Sequence, residues 1–133
     1  MATTMTVANY CLIVACLLPV VSAAIAKSRG FGKRRKDGGF DNHDPRGWLS
    51  RQSGWQARAN AAQANGFEVL PLFIAGVLAA QQMHHDQGRI DLLAMGFIAV
   101  RVLFIVLYLV DQPTLRSLAW VAGTVISVAM FFG

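Results

Sequence analysis

Four stretches of this chain, about residues 5–26, 57–82, 92–110 and 115–132, are so continuously apolar that each must be shielded from water over nearly its whole circumference. Each is near the roughly 20 residues with which a helix crosses a hydrocarbon core of about 30 Å. Chain in lipid has to satisfy its own backbone N–H and C=O groups, which leaves helix as the form for such segments. The sequence therefore predicts an all-α fold, an integral membrane four-helix bundle spanning residues 1–133 as a single domain. Composition agrees: 14% of the 133 residues are charged, against roughly 25% in soluble domains.

Residues 1–26 contain no Asp, Glu, Lys or Arg. A secretory signal carries a basic region ahead of its apolar core, so despite the small residues of Val21-Ser-Ala-Ala-Ile-Ala26 the first stretch reads as a retained helix. The connection at 27–56 is polar and holds Lys27, Arg29, Lys33, Arg34, Arg35, Lys36, Arg46 and Arg51. By the positive-inside rule it is cytoplasmic, which puts both termini on the outer side of what we take as a bacterial inner membrane. A pI near 9.9 would point to nucleic acid in a soluble protein. Here the basic run 33–36 adjoins a helix end, and attraction to anionic lipid head groups, about 1 kcal/mol per basic residue, accounts for it. Membrane lipids are thus the expected partner and nucleic acid is not. Cys11 and Cys16 lie off any metal or CxxC spacing and read as packing residues. His84-His85-Asp86 reads as a solvated loop, so no metal is expected, and Trp48, Trp55 and Trp120 read as interfacial or packing residues.

Glu68 stands apart from this pattern. It has no polar residue after it until Gln81, so it enters the edge of the hydrocarbon, where an unpaired charge costs roughly 2 to 3 kcal/mol or more. Arg101, inside the third apolar stretch, is the other charge at comparable depth, and the sequence predicts an ion pair between them. At 3.6 residues per turn, Arg58, Asn65 and Glu68 share one stripe, and Arg101, Phe104 and Tyr108 share another. Taken alone, these stripes make either an interhelical clamp or part of a ligand site. Ala59, Ala61, Ala62, Ala64 and Gly66 allow close helix approach beside them.

The run Gln63-Ala-Asn65-Gly-Phe-Glu68-Val-Leu-Pro71-Leu-Phe73, the third-stretch ending Arg101-Val-Leu-Phe-Ile-Val-Leu-Tyr108 and Asp111-Gln-Pro113-Thr-Leu-Arg116-Ser117 together resemble the membrane-associated proteins in eicosanoid and glutathione metabolism, the MAPEG family. So does Asp44-Pro45-Arg46 in the first loop, and the resemblance covers nearly the whole chain, looking most like a bacterial branch. It implies a homotrimer of four-helix subunits, with glutathione as cosubstrate between neighbours near the cytoplasmic side and a lipophilic small-molecule substrate arriving from the bilayer. It implies that Asn65 and Glu68 hold the peptide part of glutathione, that Tyr108 and Arg116 surround its cysteine and carboxylates, and that Arg58 adds positive charge. Arg116 is then the catalytic candidate, since a nearby guanidinium favours the thiolate over the thiol. The implied activity is that of a glutathione-dependent transferase or peroxidase acting on lipophilic electrophiles or lipid hydroperoxides. The alternative is a noncatalytic lipid-binding or accessory subunit, a role the family also contains. Two positions depart from the eicosanoid enzymes. Ala61 stands where they resemble one another in an arginine seven residues before the glutamate, and Phe104 where a polar ring often occurs; Arg58, one turn earlier, is the expected substitute for that arginine.

Overall fold

The computed structural model describes residues 4–133. Its elements are α1 (Val7–Lys27), a 3₁₀ turn at Arg35–Asp37, α2 (Pro45–Ser50), α3 (Gly54–Gln82), α4 (Gln87–Leu109) and α5 (Pro113–Ala129), with no strand among the described residues. Local chemistry sets where each begins. Thr6 and Asn9 cap α1 reciprocally, each side chain accepting from the other's backbone N–H at 3.1 Å, so two of the helix's orphan donors are satisfied. Asp86 accepts from Arg89 N at 2.9 Å to start α4, and proline opens both α2 and α5, where its missing N–H costs nothing.

Three segments, Val7–Gly30, Gly54–Gln82 and Gln87–Leu109, are long and apolar enough to cross a membrane. At 17 residues, α5 extends about 25 Å at 1.5 Å per residue. Helices α3 and α4 each pack against both α1 and α5. Without a hydrophobic force between helices in lipid, association rests on close van der Waals fit and small interfacial residues. That is the pattern here: Ala8, Ala26, Ala59, Ala80 and Ala94 are fully buried. A methyl group on Gly66 would come 2.8 Å from Pro19 Cγ, and one on Gly76 2.8 Å from the Ser127 carbonyl oxygen. These glycines mark the α1–α3 and α3–α5 approaches. Between them Phe73 and Phe97 stack with ring centroids 3.9 Å apart, while large apolar side chains such as Leu17, Leu92, Val125 and Phe132 face outward, as lipid contact requires.

The basic first loop is folded against the end of the bundle. Trp48 of α2 is buried with Leu49, Ala26 and Ala59, and its indole N–H donates to the Gly38 carbonyl at 3.3 Å. Phe40 meets Trp48 edge-on at 5.3 Å and lies beneath the Lys27 ammonium. Asp41 accepts from the His43 backbone N–H at 3.0 Å; chiefly that bond, with Arg35 adding to it, holds its carboxyl below the ordinary value.

Candidate functional site

Where α3, α4 and α5 converge near their loop-side ends, they enclose a groove of about 450 Å³ lined by Ala61, Ala64, Asn65, Glu68, Phe104, Tyr108, Arg116, Ser117, Trp120 and Val121. Its size falls within the roughly 300–1,000 Å³ of small-molecule sites. Four of the five residues singled out for glutathione, namely Asn65, Glu68, Tyr108 and Arg116, share its wall. Arg116 lies with its guanidinium carbon 4.3 Å from the centre of the Tyr108 ring, and Tyr108 in turn meets Phe104 edge-on at 5.6 Å. The cation is therefore held by an aromatic face, which leaves its N–H fork free of a protein carboxylate. Asn65 Oδ1 is buried and accepts no hydrogen bond, whereas buried acceptors ordinarily find a donor. Glu68 is exposed on the same wall, so the groove offers an acceptor, a carboxylate and a guanidinium to one ligand.

The predicted ion pair between Glu68 and Arg101 does not form within the subunit. The ion pairs among the described residues are Arg34–Asp37 and Arg35–Asp41, both in the first loop. Glu68 faces outward from α3, while Arg101 is only 4% exposed and stacks on the Phe104 ring of its own helix at 4.0 Å. Both line a second, smaller cavity of about 110 Å³ together with Phe97, Trp120, Thr124 and Ser127.

A model of the MAPEG family matches residues 7–133, essentially the whole chain. The chain belongs to the MAPEG family. It is an integral membrane protein of this glutathione- and eicosanoid-metabolism family, with lipid around its apolar helices. No curated protein and no solved structure gives a match.

Within this MAPEG chain, Arg58 is placed apart from the other candidates. Its Nε donates to the Leu109 carbonyl at 3.1 Å, at the C-terminus of α4, where carbonyls lack helical partners and the dipole favours a cation. It does not line the groove of the single subunit. Arg58→Gln should lower stability in detergent by roughly 1.5–3 kcal/mol, the worth of a hydrogen bond from a charged group, seen as a lower thermal midpoint; an unchanged midpoint would mean that the bond is not made in solution. Sequence reasoning missed Ser117, Trp120 and Val121. Trp120 and Val121 follow Ser117 by three and four residues, and Trp120 follows Arg116 by four, the spacing of neighbours on a helix surface, and that was the available signal. Trp120, read as a packing or interfacial residue, walls both cavities.

Proposed function

We propose that this protein is a glutathione-dependent membrane transferase or peroxidase acting on lipophilic electrophiles or lipid hydroperoxides, with the α3–α4–α5 groove as its thiol site. The single observation that carries the reading is the convergence of Asn65, Glu68, Tyr108 and Arg116 on that groove. Glutathione has an ammonium that suits Glu68, amides that suit the unsatisfied Asn65 oxygen, and carboxylates and a thiol that suit a guanidinium. The role assigned to Arg116 is to hold negative charge on sulfur; Tyr108 keeps its guanidinium in place. In the transfer reaction the thiolate sulfur would bond to the electrophilic carbon as the leaving group departs from the lipophile with its bonding pair; in the peroxidase reaction it would take the terminal hydroperoxide oxygen, the O–O pair leaving as an alkoxide that takes a proton, and a second glutathione would then release water and give the disulfide.

Several lining residues, Ala64, Glu68, Ser117, Trp120 and Val121, are exposed in a single subunit. A homotrimer, as the family resemblance implies, covers that side with a neighbour. The accompanying topology is four spans with the first loop cytoplasmic and both termini outside, in a bacterial inner membrane. Native mass spectrometry in mild detergent should give a trimer; monomers across several lipids would count against the shared site. Incubating the purified protein with glutathione and an aryl halide tests the activity, and formation of the thioether is the expected result.

A second reading, a noncatalytic lipid-binding or accessory subunit, draws on a specific observation. With Ala61 in the groove and Arg58 turned to Leu109, Arg116 is the only cation among the lining residues. Absence of glutathione binding by calorimetry, with lipid binding retained, would favour it.

A further inference from the structure

Arg101 has an unusual combination of properties. It is 4% exposed, lies in an apolar stretch of α4, and forms no ion pair among the described residues. No side-chain hydrogen bond of its guanidinium occurs among the described residues; its observed neighbour is the Phe104 ring at 4.0 Å, whose face offers a cation far less than an anion does. A buried charge of this kind is paired, hydrogen-bonded or bound to a ligand. Beside it is the cavity of about 110 Å³, walled also by Ser127, which is 1% exposed, and by Thr124. A water needs roughly 10–15 Å³ of such space, so the cavity has room for several waters or for a small anionic group.

We propose that Arg101 and this cavity form a binding site for a monovalent anionic group, either a dissolved halide or the carboxylate head of an amphipath entering between α3 and α5. Leu72, which lines the cavity, is exposed in a single subunit, and a tail would leave past it. Glu68 also borders the cavity, and its negative charge opposes the anion. Neutralising Glu68 must therefore tighten anion binding. If Glu68 takes the ammonium of glutathione, a clause that rests on the function proposed above, the two ligands bind with positive and reciprocal coupling.

The test uses the full-length protein in nonionic detergent with gluconate as the reference anion, and reads the thermal midpoint against added chloride, dodecanoate or dodecanol. Wild type should respond saturably to chloride or to dodecanoate but not to dodecanol. A response at lower concentration to dodecanoate identifies an amphipath, and an equal or stronger one to chloride a dissolved ion. Arg101→Lys should retain the response, and Arg101→Gln should weaken the affinity about tenfold or more, as loss of a charged hydrogen bond implies. Glu68→Gln should tighten it by roughly tenfold without any thiol present. Failure of both anions, an equal response to dodecanol, or an unchanged response in Arg101→Gln would overturn the site. The wild-type comparison of dodecanoate with dodecanol needs no variant to fold. Stability lost in Arg101→Met and recovered in Glu68→Gln/Arg101→Met would also overturn it, by revealing an ion pair between subunits. Glutathione affinity measured separately keeps the readings distinct: anion binding without thiol binding removes the proposed function and leaves the anion site.

Discussion

Arg116→Ala is expected to reduce thiol-transfer turnover by roughly 10²- to 10³-fold, the usual effect of removing one preorganised donor from developing negative charge. The effect on glutathione affinity should be smaller, because the guanidinium interacts most strongly with the thiolate and less with the neutral thiol. The sign on pH follows directly. Removing a cation raises the pKa of the bound thiol, so the alkaline rise in thiolate absorbance moves to higher pH in the variant. Arg116→Lys should recover part of the turnover, since it keeps charge but loses the planar fork. Tyr108→Phe should keep most of it, because the aromatic face that holds the guanidinium at 4.3 Å survives. An unchanged thiol titration in Arg116→Ala would remove the assignment.

That experiment is addressable because the groove was largely legible in the sequence. Asn65 and Glu68 sit three apart on one helix, and a carboxylate in apolar surroundings demands an explanation whatever the fold. Arg116 stands at a helix end, where topology alone explains a basic residue, and its place among the candidates came from the family resemblance. What periodicity fixes is the stripe on each helix, not the angle at which two helices face one another. Glu68 and Arg101 border one cavity, yet one looks outward and the other into the bundle, and no spacing along the chain contains that rotation. Arg58 lies off the groove of the single subunit: its partner is a backbone carbonyl at the end of α4, and an unsatisfied carbonyl has no signature in residue identity. The first loop read as a polar connection, but Asp44 before Pro45 was a helix-start signal. The burial of Trp48 over Ala26 and Ala59 depends on tertiary contact and was out of reach.

Phe73→Ala should destabilise the bundle by about 2 kcal/mol, the cavity part of a buried aromatic truncation at roughly 24 cal/mol per Å³ over roughly 100 Å³ of lost volume. Phe73 is fully buried, and its ring is nearly parallel to that of Phe97, at 6° and 3.9 Å. In lipid the loss is one of packing and not of water exclusion, because an exposed phenyl ring in hydrocarbon is not penalised. A void left between α3 and α4 has no atoms on one side, and its lining forfeits dispersion outright. Phe73→Leu, which retains much of the volume, should cost clearly less. Thermal unfolding in detergent separates the two; equal midpoints for both variants would mean that the site collapses and that the stack is not a rigid spacer. The consequence reaches the interior charge as well. Phe97, released from its partner, also walls the cavity beside Arg101, so loosening it should widen that cavity and weaken its grip on a small anion. The stability of the α3–α4 seam and the shape of the space around Arg101 are therefore set by the same pair of rings.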